Sequence, residues 1–140
     1  MCSSDLNAAR LEARAAAVEH DGMRPHAVTS LGNSWPDDVR GNRERFEQYR
    51  ARWIANDPYS FAGINRMLGS MNLAGDYGRV RCPTLVVGGR LDIMRSPAAS
   101  KAIADQIPGA RYAELETGHF MAVQTPELFL ETVIPFLQGR

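Results

Sequence analysis

Two residues in the last third of this 140-residue chain have types suited to acid–base chemistry and lie where such chemistry could be held: Asp92 and His119. A neutral imidazole suits the removal of a proton from an attacking hydroxyl, because its pKa lies near physiological pH. It works best when a carboxylate holds its other ring nitrogen, fixing the tautomer and stabilising the imidazolium that forms. Asp92 follows the apolar run Thr84-Leu85-Val86-Val87 and the pair Gly88-Gly89, and His119 follows Arg111-Tyr112-Ala113-Glu114-Leu115 and Gly118. Taken singly, each is a common turn: a Gly-His pair often only ends a strand, and an aspartate after glycines often only caps a loop. Together they imply a pair of loops that could bring an acid to a base.

The elements needed to position the pair are legible around it. Thr84 to Val87 is entered through Pro83 and closed by two glycines, so it reads as a strand buried on both faces. Ser96-Pro97 caps a helix carrying Ala98, Ala102, Ile103, Gln106 and Ile107, and Pro108-Gly109 ends it. Arg111 to Leu115 alternates polar and apolar residues as an edge strand does. Thr125-Pro126 opens a last helix with Phe129, Val133 and Leu137 on its apolar stripe, which Pro135 should kink or shorten. A strand, crossover helix and strand of this kind form a parallel unit, with chemistry in the loops at the carboxyl ends of the strands.

Upstream the pattern is helical. Asn7 to His20 is rich in Ala, Leu, Arg and Glu and stops at Asp21-Gly22. Met23 to Pro36 collects Pro, Gly, Asn, Ser and Thr and reads as loop or a short helical turn. Asp37-Asp38 offers N-terminal acids for a second helix, in which Phe46, Tyr49, Trp53 and Ile54 mark one buried face. Asp57-Pro58 caps a third, with Phe61, Ile64, Leu68 and Met71 at helical spacing, which Gly69 weakens so that the helix is expected to end near Leu68.

The stretch C-P-T-L-V-V-G-G-R-L-D from Cys82, then I-P-G-A-R-Y-A-E-L from Ile107, E-T-G-H-F, and T-P-E-L-F-L from Thr125 resembles the C-terminal end of the α/β-hydrolase fold. The resemblance runs from Val80 to the end of the chain. It implies that Asp92 is the triad acid and His119 the triad base, and that no metal or organic cofactor takes part. Residues before Val80 then correspond to the helical cap that the family inserts over its active site. The run from Asp57-Pro58-Tyr59 through Phe61, Ala62 and Asn65 to Leu68 is similar to the return from cap to core in 3-oxoadipate enol-lactonases and related carboxylic-ester hydrolases. The fold expected is therefore α/β: a partial α/β-hydrolase with three helical cap segments over residues 7–78, then a strand-helix-strand-helix unit over residues 79–140. Trp35, Trp53, Phe61, Met67 and Met71 are candidates to line an acyl pocket, although such spacing more often marks core. Arg50, Arg52 and Arg66 are candidates to receive a substrate carboxylate, although on a helix face they more often stay solvated.

The departure from the family is the nucleophile. Its serine belongs in a G-x-S-x-G elbow upstream of acid and base. Ser34, in Gly32-Asn33-Ser34-Trp35-Pro36, and Ser70, in Leu68-Gly69-Ser70-Met71, lack that setting, and Cys82 precedes a proline at a strand entrance. The expectation is a C-terminal fragment of a serine-dependent hydrolase acting on a small-molecule ester or lactone, inactive alone, weakly stable and prone to self-association. An aspartate nucleophile, as in dehalogenases and epoxide hydrolases, an acyltransferase and a non-catalytic binding module remain open alternatives.

Composition narrows the classes further. Sixteen basic residues balance sixteen acidic ones, so no net field draws nucleic acid or an anionic membrane. No apolar run approaches the roughly 18 to 20 residues that span a bilayer, and the start lacks a secretory pattern. Cys2 and Cys82 form no disulfide framework, which fits a cytoplasmic location. Residues 1–6, M-C-S-S-D-L, match the translation of a sequencing adapter and are expected to be a non-native leader.

Overall fold

A computed structural model describes residues 3–139; Met1 and Cys2 of the expected leader, and Arg140, lie outside the described residues. The elements are α1 (Ser3–Asp21), α2 (Met23–Ser34), a single 3-10 turn (Asp37–Val39), α3 (Arg43–Ile54), α4 (Pro58–Ser70), a second such turn (Tyr77–Arg79), β1 (Leu85–Gly89), α5 (Pro97–Ala104), β2 (Arg111–Leu115), α6 (Met121–Gln124) and α7 (Pro126–Leu137). No helix among the described residues is long and apolar enough to cross a membrane.

Local chemistry explains most of the boundaries. Asp57 accepts a hydrogen bond from the Ser60 N–H at 2.7 Å, with Pro58 in the first turn of α4. Ser96 accepts from the Ala99 N–H at 3.3 Å ahead of Pro97 in α5, as its sequence implies. Asn42 does the same for α3 through the Arg45 N–H at 2.9 Å. Helix α1 starts at Ser3, earlier than Asn7.

Met23 to Ser34 forms a helix of 12 residues, where a loop or only a short helical turn was expected. Met23, Ala27 and Leu31, followed by Trp35, are buried at steps of four residues, which lines up one face of a helix. Pro25 sits in the first turn, where its missing N–H costs no hydrogen bond. Helix α7 likewise runs through Pro135 to Leu137. Its inward residues at the C-terminal end include Phe136, not Leu137, which is exposed.

The chain divides into two compact units, Met1–Ser30 with Glu47–Leu73, and Leu31–Phe46 with Ala74–Arg140.

In the first unit α1 packs along α4. Leu11, Ala15 and Val18 on α1 and Ala62 and Asn65 on α4 are buried, and Gly69 lies 3.5 Å, measured from an added Cβ, from the Ala8 Cα. Trp53 meets Phe61 edge-on with ring centroids 5.5 Å apart. Ile64, expected on the buried face of α4, is exposed, because the small residue Ala62 and the polar Asn65 take that face instead. Asn65 is tolerated there because its side chain donates to the Phe61 carbonyl at 2.7 Å.

In the second unit β1 and β2 pair in parallel, with Leu85 opposite Arg111 and Gly89 opposite Leu115. Helix α5 connects them, giving the expected crossover. Leu85, Val86 and Val87 are only half-buried, not covered on both faces, since β1 has a single neighbouring strand among the described residues.

Candidate active site

The backbone pairing of the two strands continues into the loops that follow them. The Arg90 N–H donates to the Leu115 carbonyl at 2.8 Å, and the Leu91 N–H to the Thr117 carbonyl at 3.0 Å. The two loops are thereby zipped together over the residues that precede Asp92 and His119. Gly89 makes this approach possible: a Cβ there would lie 2.7 Å from the Thr117 carbonyl oxygen and 2.8 Å from that of Gly118. Glycine is needed here for space, not for an unusual dihedral angle.

Asp92 turns back at the end of this ladder, its N–H donating to the Gly89 carbonyl at 3.1 Å. Its carboxylate is almost fully buried, yet both oxygens are satisfied. Oδ1 accepts from the N–H groups of Met94 at 2.8 Å and Arg95 at 2.9 Å. Oδ2 lies 2.8 Å from Nδ1 of His119. An ionised carboxylate accepts only, so this contact places the imidazole proton on Nδ1 and the basic lone pair on Nε2. The His119 side chain is 30% exposed, and Nε2 has no hydrogen-bond partner among the described residues. The two candidates that sequence reasoning proposed are thus brought together in the arrangement that a general base requires.

The His119 backbone is fixed independently. Its N–H donates to the Ser34 carbonyl at 3.0 Å, and its ring meets that of Phe120 edge-on at 5.2 Å. Gly118 has no room for a side chain, because a Cβ would lie 2.7 Å from Pro36 Cδ and 2.9 Å from Gln124 Oε1. Gln124, Thr117 and the Ser34 carbonyl support the His119 loop and were not singled out from the sequence; a lone glutamine at the end of a four-residue helix carries no periodic signal.

The remaining candidates are placed elsewhere or otherwise employed. Ser34 is the last residue of α2 and buried. A helix C-terminus presents carbonyl oxygens, the wrong polarity for stabilising an oxyanion. Ser70 ends α4 in the same way, its hydroxyl donating to the Met67 carbonyl at 3.0 Å. Cys82 is an exposed free thiol ahead of β1. Trp35 is a core residue of the second unit, with Nε1 donating to the Val39 carbonyl at 2.9 Å. Trp53 is core in the first unit, and Met67 and Met71 are exposed. Arg66 is held by Glu12 and Glu19, with Nη1 to Glu19 Oε1 at 2.6 Å, and these two carboxylates raise its pKa further above the usual arginine value. It is committed to an ion triad between α1 and α4. Arg50 pairs with Glu47 one helical turn away at 3.6 Å. No group of three or more His, Cys, Asp or Glu side chains is arranged to hold a metal among the described residues.

No protein-family model matches the chain. Among curated proteins, a pyrrolizixenacetamide deacetylase from Xenorhabdus hominickii is 37% identical over 59 residues, which is 42% of this chain and 22% of that protein. Among solved structures, the enol-lactonase of Burkholderia xenovorans LB400 superposes with a TM-score of 0.85 at 25% identity, covering 89% of this chain and 48% of that one. A thermophilic esterase from Thermogutta terrifontis gives a TM-score of 0.87 at 20% identity, covering 95% of this chain and 50% of that one. The chain spans about half the length of these structures.

Proposed function

We propose that the chain, whose fold is like part of an α/β-hydrolase, supplies the acid, Asp92, and the base, His119, of an enzyme that cleaves a carboxylic ester or lactone through a serine nucleophile. The observation that carries this reading is the 2.8 Å contact between the buried Asp92 carboxylate and His119 Nδ1, on a His119 side chain that is partly exposed and whose Nε2 has no hydrogen-bond partner among the described residues. Nε2 would take the hydroxyl proton of the serine as its oxygen attacks the acyl carbon, and return that proton to the departing alcohol. It would then take a proton from the water that attacks the acyl-enzyme and pass it to the departing serine oxygen, releasing the acid and restoring the free base. An ester or lactone substrate is supported by the likeness to an enol-lactonase.

A base and its orienting acid activate nothing without a hydroxyl and oxyanion donors, so the chain by itself is proposed to be inactive. The test is complementation. Co-expression with an N-terminal hydrolase half carrying a G-x-S-x-G elbow should yield hydrolysis of an activated ester, lost in His119→Ala and in a variant lacking the elbow serine. Hydrolysis that survives His119→Ala, or hydrolysis by the chain alone that His119→Ala abolishes, would each overturn part of the proposal.

A further inference from the structure

Gln124 ends α6 and is almost fully buried, and each polar atom of its side chain is used. Oε1 accepts from the Phe120 N–H at 3.1 Å and from the Thr117 hydroxyl at 3.4 Å. Nε2 donates to the Ser34 carbonyl at 2.7 Å. That same carbonyl accepts the His119 N–H at 3.0 Å. Residues on both sides of His119, and the His119 backbone itself, are therefore tied to one carboxamide and to the carbonyl it holds. The Thr125 hydroxyl donates to Thr117 Oγ1 at 2.8 Å, completing the buried cluster. Gly118 lies flat against the carboxamide, with no room for a Cβ.

The orientation of this amide is not ambiguous, because an N–H and a carbonyl of the backbone face its two ends and demand opposite polarity. A carboxylate in its place would keep the acceptor and turn an acceptor toward the Ser34 carbonyl. A thioether of similar volume would satisfy neither, removing the amide oxygen that the Phe120 N–H donates to in a part-buried site.

We infer that Gln124 is a positioning residue for His119: it sets the loop that aims Nδ1 at Asp92 and leaves Nε2 toward substrate. This rests on the acid–base reading of the pair. Gln124 touches no reacting atom, and its effect is transmitted through residues 117–120 and the Ser34 carbonyl.

The experiment reads the His119 ring directly in the full chain, through the nitrogen chemical shifts of its imidazole and the slowly exchanging Nδ1 proton. The wild-type chain should show the Nδ1-protonated tautomer. Gln124→Met should lose the Nδ1 proton signal and average the tautomers while the β1 and β2 amide resonances stay dispersed as in the wild type. Gln124→Glu, which keeps the acceptor arm alone, should show a partial loss, and it decides the matter if Gln124→Met does not fold. Wild-type signatures in the folded variants would overturn the inference. A wild-type chain lacking the Nδ1 proton would instead overturn the acid–base reading beneath it.

Discussion

Asp92 and His119 are 27 residues apart in sequence and 2.8 Å apart at Oδ2 and Nδ1. The contact does not rest on the two side chains alone. The second Asp92 oxygen is held by two backbone N–H groups, and the His119 N–H is held by the Ser34 carbonyl. Both partners are therefore preorganised, and the burial cost of the carboxylate is offset by hydrogen bonds that exist whether or not the imidazole is charged.

Gly89 should not tolerate a side chain. In Gly89→Ala the new methyl would press on the carbonyls of Thr117 and Gly118, which are backbone and cannot swing away. A loss of about 1–3 kcal/mol is expected from such overpacking. Denaturant unfolding of the second unit, followed through the β1 and β2 amides, should show a lower midpoint, whereas an unchanged midpoint would mean that the loops do not approach as described.

The first unit should weaken in acid. Hydrogen bonding from Arg66 lowers the pKa of Glu19, and bonding from the Ser60 N–H lowers that of Asp57. A carboxylate with a folded pKa below its unfolded value binds fewer protons when folded, so its stabilisation is present above the usual range near pH 4 and is lost as pH falls through the folded value. Helical circular dichroism should decline there. Asp57→Asn keeps a capping side chain without a titrating group and should make the decline shallower; an identical acid profile would remove Asp57 from the account.

Concentration-dependent association is expected of the chain alone. One edge of β1 is unpaired among the described residues, and Leu130, Ile134 and Leu137 form an exposed stripe on α7. Sedimentation velocity should show larger species as concentration rises, reduced when Ile134 and Leu137 are replaced by lysine. A monomer at all concentrations would contradict this.

How far the fold could be read in advance depended on how local its causes are. The caps at Asp57-Pro58 and Ser96-Pro97, the burial of Trp53 on α3, and the β1-α5-β2 crossover follow from neighbours within a few residues, whereas Phe46, Tyr49 and Ile54, expected on the same buried face as Trp53, are only half-buried. Helix α2 was obscured because Pro25, Gly32 and Asn33 are poor helix formers, while burial of Met23, Ala27 and Leu31 outweighs propensity. Pro135 is tolerated because it and Glu131, whose carbonyl loses a donor, are exposed to water. Asp92 and His119 announced themselves by type and by place after strands. Gln124 did not, since its partner Ser34 is 90 residues away and nothing in the spacing links them.

The most direct test of the central claim is the tautomer of His119 in Asp92→Asn. The Met94 and Arg95 N–H groups should hold the amide oxygen of the new side chain, turning its NH2 group toward His119 Nδ1. The account predicts an imidazole proton on Nδ1 in the wild-type chain and on Nε2 in the variant, read from the ring nitrogen shifts, with loss of the base that catalysis needs. The same tautomer in both chains would mean that Asp92 does not hold His119, and the acid–base assignment would fall.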